Sequence, residues 1–259
     1  MTAGGRAGRE LAERVVLVTG ASSGIGRAIA LECARAGASL AITYHRNQEG
    51  AAAVAHEVRA LGQRVETIRA DVSRTGDVDL LARRAHEIYG RVDVWVNNAG
   101  ADILTGTAGA MDRIEKLDLV LDVDVRGTML ASWAAVELMR GQPHGGCLIN
   151  MAWDHVGQGM AGDNPEIYAA AKGGVASFTR SLVRSAAPKV RVNLLAPGFI
   201  DTAFGAEASS DWRAHVEAIT PMARWGTPDD VARAALFLAT DASAFLTGQT
   251  LMVNGGVIM

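Results

Sequence analysis

Two short stretches of the chain carry residues whose types and spacing suit chemistry. In the first, Thr19-Gly20-Ala21-Ser22-Ser23-Gly24-Ile25-Gly26, three glycines punctuate a junction where an apolar run gives way to helical periodicity. Gly20 permits a tight turn, Gly24 lets the backbone approach a pyrophosphate, and Gly26 lets the helix pack closely on the preceding strand. The helix beginning near Ile25 would turn unpaired N–H groups, flanked by Ser22 and Ser23, toward the phosphates. In the second stretch Tyr168 and Lys172 stand four residues apart, hence on one face of a helix. An ammonium beside a phenol favours phenolate and draws its reference pKa of ~10 toward the working pH. Tyr168 could then give a proton to a substrate oxygen or nitrogen, or take one from it. Taken alone, the glycine triplet also fits a plain turn, and the Tyr/Lys spacing also fits a surface helix.

Further polar and small residues fall at the ends of apolar runs. Asp71-Val72 closes the third run, where the carboxylate could hold an adenine amino group. Asn97-Asn98-Ala99-Gly100 closes the fourth, where small residues and amides can line a cofactor crevice. Pro197-Gly198, Ile200 and Thr202 follow the sixth, and the Thr202 hydroxyl could hold a nicotinamide carboxamide. The end of the second run selects the cofactor. An acid there would pair with the 2'-hydroxyl of NAD, but Thr43-Tyr44-His45-Arg46-Asn47 has no acid before Glu49. Arg46, with His45 and Ser23, can instead hold a 2'-phosphate by charge-assisted hydrogen bonds, which favours NADP over NAD. Arg46 as a solvated surface charge is the plainer alternative.

The elements that must position these groups follow from periodicity. Short β-branched runs at Val15–Thr19, Ser39–Thr43, Arg64–Arg69, Val92–Val96, Cys147–Met151, Arg191–Leu195 and Thr250–Val253 alternate with helical segments. The helices read as Ile25–Ala36, Glu49–Leu61, Asp77–Tyr89, a long stretch Met111–Arg140, Glu166–Ala187 and Asp229–Ala239. This pattern predicts an α/β, single-domain Rossmann fold, a doubly wound seven-stranded parallel sheet with helices on both faces. Residues 1–13 read as a flexible N-terminal tail and 14–259 as one domain. Phe204–Gly226, with Trp212, Pro221, Met222 and Trp225, reads either as a lid or substrate loop or as a plain pair of surface helices.

Composition narrows the partners. A 259-residue chain that is 49% hydrophobic with a formal charge of -3 shows no bias toward nucleic acid or anionic membranes. No apolar run approaches the ~18 residues of a membrane span. Cys33 and Cys147 are far apart without a CxxC or a His cluster, so neither a disulfide framework nor a metal site is expected. A cytoplasmic enzyme with a small-molecule substrate fits these features.

The Thr19 to Gly26 run, Asn97 to Gly100, the Tyr168-Ala-Ala-Ala-Lys172 run, Pro197-Gly198 with Thr202, and Thr247-Gly248-Gln249 together resemble the short-chain dehydrogenase/reductase family over nearly the whole chain. The resemblance implies a catalytic tyrosine and lysine, a lysine contact to the nicotinamide ribose, and a homo-oligomer, dimer or tetramer. It also implies a serine and an asparagine beside the reacting pair, and here the chain departs. After the fifth strand it reads Asn150-Met151-Ala152-Trp153-Asp154-His155, with no hydroxyl to orient a carbonyl. The asparagine position falls on Asp124, whose carboxylate would raise neighbouring pKa values or bind a cation such as Lys172. Trp153 can donate an indole N–H, Asp154 can pair with a cationic iminium or amine, and His155 can do either. Wall packing for Trp153 and a turn or cap role for Asp154 are the plainer alternatives.

Three functions are compatible with these residues. The first is hydride transfer between NADP(H) and a carbonyl/alcohol or imine/amine, with Tyr168 as acid/base. The second is non-redox elimination, isomerisation or cyclisation steered by Asp154 and His155. The third is a nicotinamide-binding protein with weak catalysis.

Overall fold

The computed structural model describes residues 9–259, apart from the side chains of Phe204 and Glu207. Seven strands form one sheet in the order β3-β2-β1-β4-β5-β6-β7, every adjacent pair parallel. They are β1 (Val15–Val18), β2 (Ser39–Tyr44), β3 (Val65–Arg69), β4 (Val94–Asn97), β5 (Gly146–Met151), β6 (Val190–Pro197) and β7 (Thr250–Val253). The four residues of β1 are all buried, as expected of a central strand covered on both faces.

Helices α1 (Gly24–Arg35), α2 (Gln48–Ala60) and α3 (Thr75–Tyr89) follow the first three strands. After β4 come α4 (Gly106–Gly109), α5 (Arg113–Val120) and α6 (Thr128–Arg140), then α7 (Asp163–Ala186) after β5. After β6 lie α8 (Ala203–Glu207), α9 (Ser210–Ile219) and α10 (Pro228–Ala239). One face of the sheet buries Ile29, Val54, Val58 and Leu238 from α1, α2 and α10. The other buries Leu81, Ala135, Met139 and Leu182 from α3, α6 and α7. The chain therefore winds outward in both directions from β1 and β4, and the strand ends at that switch point open a crevice.

Two expectations need correction, and a third region is open in the sequence between a loop and a pair of helices. The part of the tail that is described, from Arg9, is not loose: Leu11 is 1% exposed and its N–H donates to the Ala36 carbonyl at 2.9 Å. The remainder of the expected tail lies outside the described residues. The long helix expected over Met111–Arg140 is capped by Asp112, whose carboxylate accepts from Ile114 and Glu115, and Leu121–Gly127 within it widens into a π-helical turn. Phe204–Gly226 takes the form of short helices, α8 and α9, followed by irregular chain to Gly226.

Candidate active site

The glycine turn between β1 and α1 is built around absent side chains. Gly20 and Gly24 have φ of 64° and 54°, where a Cβ is disfavoured. A Cβ on Gly20 would stand 2.8 Å from Ala99 Cα, and one on Gly26 would stand 2.4 Å from both the Gly20 carbonyl oxygen and Asn98 Nδ2. Asn98 donates its amide protons to the Thr19 and Gly20 carbonyls at 3.0 and 3.1 Å. Its side-chain amide thus stiffens the turn beside the crevice. Ser23 is the N-cap residue of α1 but makes no side-chain cap bond, and Ser22 and Ile25 lie on the same partly exposed turn. Thr202 lies across the crevice, its methyl 3.7 Å from the position a Gly24 Cβ would take. Turn, helix N-terminus and cover fit a dinucleotide diphosphate.

At the outer end of the crevice, His45 and Arg46 are exposed after β2. His45 Nε2 lies 3.7 Å from Asp71 Oδ2, and Asp71 Oδ1 accepts from the Ser73 hydroxyl at 2.7 Å. Burial works to raise the Asp71 pKa, but the Ser73 hydrogen bonds, His45 and Arg74 outweigh it and hold the carboxyl below its ordinary value. Val72 is buried behind it, against the space that a Gly127 Cβ would occupy.

A chain of contacts runs from the glycine turn to the reacting pair. Gly20 abuts Ala99, and Gly100 abuts the Asp124 carboxylate, 3.3 Å from where its Cβ would be. Asp124 is fully buried in the π-turn. Its Oδ1 accepts from the Ala101 N–H at 2.7 Å, and its Oδ2 lies 2.8 Å from Lys172 Nζ. Oδ2 takes up no well-aligned hydrogen bond, so its attraction to the ammonium is ionic rather than directed. Lys172 Nζ is also 3.5 Å from the Met151 carbonyl oxygen and 5.3 Å from the centre of the Tyr168 ring.

These neighbours reverse one expectation. Tyr168 is raised above its ordinary pKa, not lowered: burial of the hydroxyl is the largest cause, Lys172 opposes it, and Asp124 adds to it. Burial alone would lower Lys172, but Asp124 and Tyr168 push it above the usual lysine value. Near neutral pH the pair is therefore a neutral phenol beside a firmly charged ammonium.

The segment after β5 also departs from expectation. Asp154 presents no exposed carboxylate. Its side chain is fully buried, Oδ1 accepts from His155 Nδ1 at 2.7 Å, and Oδ2 accepts from Asn254 Nδ2 at 3.1 Å. Gly198 makes room for this arrangement, since a Cβ there would come within 2.9 Å of Asp154 Oδ2. The His155 ring stacks on Trp153 at 5.0 Å, and Trp153 meets Tyr168 edge-on at 5.5 Å. Trp153 is thus the altered residue that reaches the tyrosine. Pro197 ends β6, and Ile200 is buried in a bridge to Gly226. Beneath the site, Asn97 donates to Asn150 at 2.8 Å and to Ser132 at 3.0 Å, tying β4, β5 and α6 together. Among the described residues no group of His, Cys, Asp and Glu is arranged to hold a metal ion.

Two residues outside the sequence reading join the site: Phe199, in ring contact with His155 at 5.5 Å, and Asn254. The only signal for them is position: Phe199 directly after Pro197-Gly198, and Asn254 directly after the last strand.

A family model described as Enoyl-(Acyl carrier protein) reductase matches residues 20–258. The 3beta-hydroxysteroid dehydrogenase 1 of Eggerthella lenta is 34% identical over 262 residues, covering 96% of this chain and 95% of that protein. A 3-oxoacyl-[acyl-carrier-protein] reductase of Synechocystis sp. is 37% identical over 251 residues, covering 96% and 98%. Among solved structures, a short-chain dehydrogenase/reductase of Serratia marcescens superposes with a TM-score of 0.87 at 29% identity, covering 96% of this chain and 100% of that one. Another from Brucella melitensis, named as a glucose/ribitol dehydrogenase, gives 0.86 at 31% identity, covering 98% and 100%.

Proposed function

The chain belongs to the short-chain dehydrogenase/reductase family of nicotinamide-dependent oxidoreductases, and on that premise we propose that it moves hydride between NADP(H) and a carbonyl/alcohol or imine/amine, with Tyr168 as acid/base. The observation that carries the reading is the unbroken path of contacts from Gly20 through Ala99, Gly100, Asp124 and Lys172 to Tyr168. The glycine turn with Ser22, Ser23 and Ile25 would hold the diphosphate, Asp71 and Val72 the adenine, and His45 and Arg46 the 2'-phosphate. Pro197, Gly198, Ile200 and Thr202 would hold the nicotinamide end. When bound, the cofactor supplies or accepts the hydride. Tyr168 gives its phenolic proton to the substrate oxygen or nitrogen in reduction and recovers one in oxidation. Lys172 supports the charge that develops on the phenol, and Trp153 walls the substrate beside it.

Tyr168→Phe should lower turnover of NADPH with a carbonyl substrate by about 10²–10⁴-fold while NADPH affinity stays within a few-fold. Unchanged turnover would remove Tyr168 from the chemistry. Arg46→Ala should weaken NADPH binding about tenfold and leave NADH nearly unchanged, as read by calorimetry. A cytoplasmic location and a homo-oligomer, dimer or tetramer, belong to the same proposal. Trp133 on α6 is 51% exposed and meets Phe178 on α7 edge-on, which supports a subunit contact there.

One observation favours a second reading: Asp124 engages Lys172, the group expected to reach the ribose. A non-redox elimination, isomerisation or cyclisation would give product with no change in nicotinamide absorbance. A weakly catalytic binding protein would hold NADPH tightly and turn over no substrate.

A further inference from the structure

Aromatic rings from separate parts of the chain form one file that starts at Tyr168. Trp153 meets Tyr168 edge-on at 5.5 Å and stacks on His155 at 5.0 Å. His155 meets Phe199 at 5.5 Å, and Phe199 meets Trp212 of α9 at 5.8 Å, both edge to face. Trp225, 5% exposed, backs Phe199 at 5.8 Å. Three of the five tryptophans of the chain are thus spent on one file. Trp153, Phe199 and Trp212 are only partly buried, so this is not the packing of a closed core. The Asp154 carboxylate holds His155 through Nδ1, which fixes one ring of the file before any ligand arrives.

Resting on the hydride-transfer reading of Tyr168, we propose that the file is the wall of the substrate site and that the substrate is an apolar, fused-ring ketone or alcohol whose ring face lies along Trp153, Phe199 and Trp212. Aromatic faces and edges gain most from a flat, rigid partner, which also surrenders little conformational freedom on binding. A polyhydroxylated ring would strand most of its hydroxyls against this wall, whose polar atoms are confined to ring edges: the indole N–H groups of Trp153 and Trp212, one nitrogen of His155, and the imidazole of His215, which stacks on Trp212 at 5.2 Å. A flexible chain of equal carbon number would bury similar area at a greater entropic cost.

The test compares decalone with the straight-chain decanone on the NADPH-loaded full chain. A kcat/KM ratio favouring decalone by about tenfold or more, falling toward one in Trp212→Ala and Phe199→Leu, is expected. Phe199→Leu keeps an apolar side chain against Trp225 and so spares the fold. Equal or better use of decanone by the unsubstituted protein, or a ring preference that survives both variants, overturns the proposal. If neither ketone is reduced, tryptophan fluorescence separates the two readings. Saturable quenching by decalone but not decanone keeps the ring site and rejects hydride transfer, whereas no difference between them rejects the ring site.

Discussion

Asp124, in the position where an asparagine is expected, governs the electrostatics of the residues around it. Asp124→Asn keeps an acceptor for the Ala101 N–H but removes the anion 2.8 Å from Lys172. Tyr168 then loses one of the influences that raise it. The pH at which alcohol oxidation switches on should accordingly move down, and a kcat/KM profile against pH reads the shift; an upward or absent shift would show that Asp124 does not act on the phenol. Asp124→Ala should be harsher, costing about 3–5 kcal/mol in urea unfolding, because it strips the buried ammonium of its counter-charge and also leaves the Ala101 N–H without its acceptor. The raised Lys172 has its own pH signature. Its stabilisation is fully present below the unfolded lysine pKa of about 10.4 and is lost only as pH rises through its higher folded value. Alkaline denaturation should therefore begin at lower pH in Asp124→Asn than in the unsubstituted protein.

Among the elements, the turn into α1 tolerates least. In Gly26→Ala the new methyl would lie 2.4 Å from the Gly20 carbonyl oxygen and Asn98 Nδ2, so the turn must move while Tyr168 and Lys172 stay in place. NADPH affinity should fall by at least about tenfold in calorimetry with the melting temperature only modestly lowered. Helix α10 carries a cap of its own. Thr227 and Asp230 form a reciprocal cap, and Arg224 with Arg233 also grips the Asp230 carboxylate. The hydrogen bond from Arg224, aided by Thr227, outweighs burial and holds Asp230 well below the usual carboxylate range. This stabilisation is present above the unfolded Asp pKa of about 3.9 and fades as pH falls through the lower folded value. Asp230→Ala should cost about 1 kcal/mol at neutral pH, with the deficit shrinking in strong acid.

At the scale of the whole molecule, the sheet was legible because each buried strand is a short β-branched run bounded by polar or small residues. The π-turn was not, since Leu121–Gly127 keeps the apolar spacing of an ordinary helix and only the capture of Lys172 by Asp124 reveals its use. Tyr168, Lys172 and the glycine turn were legible from local spacing. The orientation of Asp154 was not, because it depends on Asn254, one hundred residues away. If α6 and α7 form a subunit contact, Trp133→Glu should shift the sedimenting species to a smaller size without loss of helicity, and an unchanged size would rule that surface out. The Asn254 amide does more than meet Asp154: its second proton goes to the Ile258 carbonyl at 2.9 Å. Residues 254–258 thus brace the buried carboxylate that holds His155. Asn254→Ala would remove both bonds and leave Asp154 to hold His155 without its own brace, so the variant should look intact by melting and altered in its discrimination between substrates.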